Sequence, residues 1–263
     1  MLHTFDDYDI TQFLDVVASF GDSRYGFVVT PNTDHLIRLN DDEAFLTLCQ
    51  NATYLLLDSR FLSLAFFLTK GMHIPVCPGS DLTESLFEKV IKPDDPVLIV
   101  GATPEQARFL ENKYSLTNLS QYTPPMGFIK SEEEVLKCLE FVEAHSPFRY
   151  CLIALGSPQQ EILASRLAER GVARGLALCI GASVNFLTGT EQRAPVWMRA
   201  MCSEWMYRLL QNPRRMWWRY LVRGPRIFWL MTNLQIKLRT SSPPTPKVAR
   251  RPDSGSIAVY DHV

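Results

Sequence analysis

Several patterns that mark common function classes are missing from this chain. None of its 263 residues belongs to an apolar run of the ~18 residues that a bilayer span requires. The longest candidates, near residues 61–68 and 227–231, are far shorter, so any membrane contact is expected to be peripheral. The start, Met1-Leu2-His3-Thr4-Phe5-Asp6-Asp7, has no basic region leading into an apolar one, and no secretory signal is expected. The six cysteines (Cys49, Cys77, Cys138, Cys151, Cys179 and Cys202) form no Cys-x-x-Cys pair. Several sit in apolar runs such as Tyr150-Cys151-Leu152-Ile153, which reads as buried, reduced thiols of a cytosolic protein. The five histidines make no ligand-spaced pair, so no metal site is expected, and no internal repeat is visible. Acids, too, are almost absent from one long segment.

Between Arg193 and Arg239 stand nine arginines and one lysine against a single acid, Glu204. That segment carries +9 in a chain of net charge −1, which leaves the remainder at −10. All five tryptophans (Trp197, Trp205, Trp217, Trp218 and Trp229) lie there as well. Guanidinium forks bind phosphate oxygens in bidentate fashion, and basic, Trp-rich amphipathic helices lie on anionic membranes. A diphosphate ligand at a lipid surface is therefore one reading; a solvated basic helix with an aromatic core face is the other. Trp197, Met201, Trp205 and Leu209 recur every four residues, a pattern that core packing also produces. The scarcity of acids favours the first reading, because a merely soluble helix interleaves both signs.

Along the rest of the chain, apolar strands alternate with helical patterns. A helix is expected over 10–20, and a strand over 26–29 that ends in Thr30-Pro31-Asn32-Thr33-Asp34-His35. Polar residues directly after an apolar strand suit a ligand crevice, while Asn32 or Thr33 also suits the cap of a helix over 34–49. A second strand, 54–57, runs into Asp58-Ser59-Arg60, where Asp58 is either a general base or the next helix cap. Ser80 or Asp81 is expected to start a helix, with Glu84 completing a capping box behind Asp81. Gly101-Ala102-Thr103-Pro104 follows the strand 96–100; its free amides can accept a phosphate, although structural use is the simpler reading. Gly156-Ser157-Pro158-Gln159-Gln160-Glu161 follows a strand over 150–155, and its polar side chains suit nucleotide or sugar hydroxyls, or the first turn of a helix. Gly181 ends a strand over 176–180, and Arg/Trp-rich helices are expected to continue to about residue 238.

This rhythm implies an α/β fold: a Rossmann-like parallel sheet flanked by helices, with a C-terminal Arg/Trp-rich helical appendage and polar turns gathered along one edge. The expected division is a catalytic domain over 1–192, an appendage for diphosphate and membrane contact over 193–239, and a disordered tail over 240–263.

The ordered set Thr30-Pro31-Asn32 with Asp34-His35, Gly79-Ser80-Asp81, Gly156-x-Pro158-x-Gln160-Glu161, Gly181-Ala182, Arg193-Ala194-Pro195-x-Trp197, Glu204-Trp205-x-Tyr207-Arg208-Leu209 and Pro213-Arg214 with Arg219-Tyr220 resembles the bacterial WecG/TagA/CpsF glycosyltransferases. The resemblance implies inverting transfer of a hexose or N-acetylhexosamine-type sugar. The donor would be a UDP-sugar and the acceptor a sugar on polyprenyl diphosphate, at the cytoplasmic face of the membrane. It implies a peripheral enzyme of exopolysaccharide or cell-surface polysaccharide biosynthesis, with no cofactor, no metal and no nucleic-acid partner. Carried over by position, Asp58 would be the base, Thr30 and Asn32 would contact the donor sugar, and Gln160 would help hold donor or acceptor. The turns at Gly101, Gly156, Glu161 and Gly181 would serve the donor nucleotide and sugar. Arg208, Arg214, Arg215 and Arg219 would close over the diphosphate, with Arg193 a weaker candidate. The family usually has Asp-Gly where this chain has Asp58-Ser59, and Pro-Lys-Gln-Glu where it has Pro158-Gln159-Gln160-Glu161. Two other readings compete. A nicotinamide-dependent oxidoreductase would want a Gly-x-Gly-x-x-Gly turn that Gly101-Ala102-Thr103-Pro104 does not supply. A nucleic-acid-binding module would leave the polar strand ends of an acidic body unexplained. Monomer and homo-oligomer both remain open.

Overall fold

Val97-Leu98-Ile99-Val100 and Tyr150-Cys151-Leu152-Ile153 are buried at every position. Successive strand side chains point to opposite faces, so such strands must be covered on both sides, the situation of a parallel sheet with crossover helices. The computed structural model has this architecture. It describes residues 2–239 other than 202, 212, 219–221 and 223, and the side chains of 2, 3, 200, 208, 215, 216, 232 and 233 are outside the description. The tail expected over 240–263 also lies outside the described residues.

In chain order the elements are β1 (Leu2–Asp6), α1 (Ile10–Ser19), β2 (Tyr25–Val29), α2 (Thr33–Asp41), α3 (Glu43–Gln50), β3 (Tyr54–Leu55), α4 (Arg60–Lys70), α5 (Gly79–Lys89), β4 (Val97–Val100), α6 (Pro104–Tyr114), β5 (Leu119–Tyr122), α7 (Glu132–Ala144), β6 (Tyr150–Ile153), α8 (Gln159–Arg170), β7 (Gly175–Cys179), α9 (Ser183–Leu187), α10 (Val196–Ala200), α11 (Glu204–Gln211), α12 (Pro213–Trp217), α13 (Arg226–Asn233) and β8 (Gln235–Arg239). Six strands form one parallel sheet in the order β3-β2-β7-β6-β4-β5. All its carboxyl ends therefore share one edge, where the polar turns were expected.

Alternate residues of each strand feed two separate cores. Phe27, Val29, Leu98, Val100, Cys151, Ile153 and Ala177 pack with α2, α3, α4, α7 and α8 on one face. Val28, Leu56, Val97, Ile99, Leu152, Leu176 and Leu178 pack with α1, α5, α6 and α9 on the other. Cys49, Cys77, Cys138, Cys151 and Cys179 are free and buried. Burial pushes the Cys138 and Cys151 thiols up to about 12, so these two stay protonated and unreactive at neutral pH.

Two local expectations change. The helix expected over 34–49 is two helices, because Asp42 is extended and caps α3 by accepting from Phe45 N at 3.0 Å. The helical reading to about residue 238 fails at its end: Gln235–Arg239 is a strand. Its alternation, with Ile236 buried between exposed Gln235 and Lys237, is the period of a strand. Its partner is β1, paired in parallel from Leu2 with Gln235 to Asp6 with Arg239. Neither strand announces itself alone, because each is completed by the opposite end of the chain.

Asp6 closes this junction. Its carboxylate is almost fully buried and accepts from Leu55 N at 2.7 Å. Arg239 grips it in a fork at 2.6 and 2.7 Å and donates to Thr53 O at 3.0 Å. Ile227, Leu230, Met231, Leu234 and Ile236 join the same core as α2 and α4, so a chain ending near residue 192 would leave that core open. Removing one partner of a buried ion pair strands the other. Asp6→Ala is expected to lose about 3 kcal/mol of stability in urea unfolding. Asp6→Asn, which keeps an acceptor for Leu55 N, should lose less.

Candidate active site

β2 ends in Thr30-Pro31-Asn32, and β3 runs on extended through Leu57 to Asp58. Leu56 N bonds Val29 O at 3.0 Å and Asp58 N bonds Pro31 O at 2.9 Å, so the two strand ends leave the sheet side by side. Between them and the C-terminal helices opens a cleft of about 310 Å³. Asn32, Thr33, Asp34, Asp58, Ser59, Arg60, Pro78 and Ser80 line its inner side, and Arg199, Glu204, Trp205, Gly224, Pro225 and Phe228 its outer side.

The cap of α4 expected at Asp58 falls one residue later. Ser59 is the cap of α4, its hydroxyl accepting from Leu62 N at 3.3 Å. Asp58 instead accepts from Gly79 N at 2.6 Å, at the start of α5. Gly79 is needed there, because a Cβ would stand 2.8 Å from Thr30 Oγ1 and 3.9 Å from Asp58 Oδ1. Thr30 thus lies against the same glycine as Asp58. Asn32 caps α2, its Oδ1 accepting from Asp34 N at 3.0 Å and His35 N at 3.3 Å. It serves as cap and cleft wall at once.

The first turns of α2, α4 and α5 all face the cleft. Their aligned amides place partial positive charge there. The cap of α5 is Pro78, which offers no side-chain acceptor. This corrects the expected capping box: Asp81 and Glu84 do not cap, but pair with arginines. Asp81 is bonded by Arg193, by Arg60 at 2.6 Å and by Arg199 at 3.3 Å, and Arg193 also reaches Glu84 at 3.2 Å. Arg193, the weaker diphosphate candidate, is thereby a tether between the segment before α10 and the first turns of α5. Burial pushes the Asp81 carboxyl up, but the Arg193 charge and the hydrogen bonds from Arg193 and Arg60 outweigh it and hold the group below the usual carboxylate range.

The glycine turns lie elsewhere on the carboxyl edge and none of them lines the cleft. Gly101 has φ +104°, and a Cβ would meet Ala154 O at 2.7 Å, so it lets the ends of β4 and β6 pass. The neighbouring Thr103 forms a reciprocal capping box with Gln106. Gly156, at φ +75°, faces open space. Gly181 N donates to Gln160 Oε1 at 2.9 Å. Gln160 and Glu161 are themselves buried beneath the cleft and do not reach its surface. Of the arginines expected at the diphosphate, Arg214 is exposed on α12 and does not line the cleft. The side chains of Arg208 and Arg215, and all of Arg219, lie outside the described residues.

The cleft's described cations are Arg60 and Arg199, against Asp34, Asp58 and Glu204. Sequence reasoning passed over both arginines. Arg60 carried one signal, its place two residues after the candidate base; Arg199 stood among many similar residues.

A sequence model of one protein family, described as the glycosyl transferase WecG/TagA/CpsF family, matches residues 2–241.

A carboxylate held below its ordinary range contributes stability above the unfolded-state value near 3.8, and that contribution fades as pH falls through the lower folded-state value. Asp81→Asn should therefore be clearly less stable than the wild type at pH 7. The gap should narrow toward pH 3, read as the difference in urea midpoints at each pH.

Proposed function

The chain belongs to the WecG/TagA/CpsF glycosyl transferase family, and from that premise we propose that it moves a hexose or N-acetylhexosamine-type sugar from a UDP-sugar to a polyprenyl-diphosphate-linked acceptor. The transfer inverts the anomeric centre and serves exopolysaccharide or cell-surface polysaccharide assembly. The observation that carries the reading is Asp58: a carboxylate oriented by the Gly79 N–H, at the wall of a cleft that also holds two guanidinium groups.

In this mechanism Asp58 takes the proton of the acceptor hydroxyl as that oxygen attacks the anomeric carbon and the bond to UDP breaks. The Gly79 N–H keeps the carboxylate oriented. Negative charge gathers on the departing diphosphate, where the first turns of α4 and α5 and the Arg60 and Arg199 guanidiniums oppose it. Without those two arginines the described lining would hold three acids and no base, a poor place for an anion. Arg208, Arg214, Arg215 and Arg219 of the C-terminal segment are the further groups that would meet the diphosphate when substrate is bound. Thr30 and Asn32 hold the sugar, and the nucleotide extends along the carboxyl edge past Gly156, whose open surroundings suit a ligand. Gly101 and Gly181 shape that same edge, and Gln160 with Glu161 supports it from below.

The acceptor's lipid places the enzyme at the inner face of the cell membrane. No helix among the described residues is long and apolar enough to cross a membrane. Contact is peripheral in this proposal, through the exposed Trp197, Met201, Trp217, Trp218, Phe228 and Trp229 of the segment over 193–239.

The test is a screen of UDP-glucose, UDP-N-acetylglucosamine and UDP-N-acetylmannosamine with a short polyprenyl-diphosphate sugar, read as UDP release. One donor should be turned over, and silence with all of them would count against the proposal. Asp58→Asn should bind that donor within about twofold of wild type yet lose between about 10² and 10⁴ of its turnover rate. Arg60→Gln with Arg199→Gln should weaken UDP binding at least about tenfold, measured by calorimetry.

A further inference from the structure

Glu161 is a fully buried carboxylate to which the transfer mechanism gives no contact with substrate. Its Oε1 accepts from Gln160 Nε2 at 2.8 Å and lies 3.3 Å from His35 Nε2, while its Oε2 has no hydrogen-bond partner. Burying a charge is costly unless every lone pair is met, so a site built for stability alone would favour a neutral residue here. The other nitrogen of His35, Nδ1, lies 3.0 Å from Asn32 Oδ1. A line of contacts therefore runs from the buried carboxylate through the imidazole to a cleft residue.

Two donors converge on Asn32 Oδ1, the amides of Asp34 and His35, and His35 Nδ1 sits 3.0 Å from that oxygen and accepts from Asn32 N at 3.5 Å in the capping box. They fix the orientation of the carboxamide. Its Nδ2 has no acceptor among the described residues, and Asn32 lines the cleft. The two cap bonds alone orient the oxygen, but they leave the side chain hinged at the helix end. The imidazole, anchored by Glu161 on α8 and packed 5.8 Å from the Phe45 ring, provides a brace from outside the turn.

We infer that His35 and Glu161 are positioning residues for sugar recognition: Glu161 holds His35, the His35 ring braces Asn32 at the helix cap, and Asn32 Nδ2 is thereby presented as a hydrogen-bond donor to a sugar hydroxyl. This rests on the transferase reading of the cleft. The motif residue Glu161 acts at a distance, through a residue that no substrate touches, and the buried charge is kept for orientation.

The experiment compares Glu161→Gln, His35→Ala, Asn32→Ala and the two double variants with Asn32→Ala. Each is titrated with plain UDP and with the UDP-sugar that the screen selects. His35→Ala should weaken UDP-sugar binding about tenfold while leaving UDP binding unchanged, and Glu161→Gln, which keeps an acceptor for His35 Nε2, should weaken it by less. In the Asn32→Ala background neither substitution should weaken binding further. Wild-type sugar affinity in His35→Ala, an equal loss for UDP and UDP-sugar, or additive losses in the double variants would overturn the inference alone. A wild-type protein that binds none of the UDP-sugars would overturn the transferase reading and this inference together.

Discussion

Both faces of the six-stranded parallel sheet are buried, and the remaining architecture answers to that constraint. Strands without a polar side cannot carry ligand groups along their length, so polar chemistry collects where the chain leaves the sheet. Here that place is the carboxyl edge. β2 and β3 deliver Asn32 and Asp58 to it, and α2, α4 and α5 start there with their amides toward the same space. The carboxylate and the helix termini meet because one edge has to serve both.

Charge in the cleft is held in position by cross-bonds between distant parts of the chain. Asp81 gathers Arg60, Arg193 and Arg199, which come from α4, from the segment before α10 and from α10 itself. Asp81, helped by Glu84 at Arg193, fixes where these guanidiniums point. Along the β3 border of the sheet, Asp6 and Arg239 fasten the first strand to the last and both to β3. The basic C-terminal segment is thus tied at both ends to an acidic body, with the cleft beneath it.

Much of this was legible in the sequence where the signal is local. Apolar strands ending in Thr30-Pro31-Asn32 or in Gly181 predict a parallel sheet with a polar edge, and that is the fold. The ordered motifs point to the glycosyltransferase family, which residues 2–241 match. Family membership leaves the oxidoreductase and nucleic-acid readings without support. Local signals were ambiguous where two roles fall on adjacent residues. Asp58 and Ser59 both suit a helix cap, and only the hydrogen bonds to Leu62 N and Gly79 N separate them. Asp81 and Glu84 have capping-box spacing, yet arginines more than a hundred positions away claim them.

By itself the sequence determined which segments are strands and helices of the sheet body, which faces they bury and which family they belong to, because periodicity and ordered motifs act over a few residues at a time. The tertiary structure alone decided that Arg60 and Arg199 stand at the cleft, that Glu161 lies beneath it against His35, and that β1 pairs with β8. Those meetings depend on strand order and on crossovers that return distant segments to one edge, and no local spacing encodes the distance between their ends.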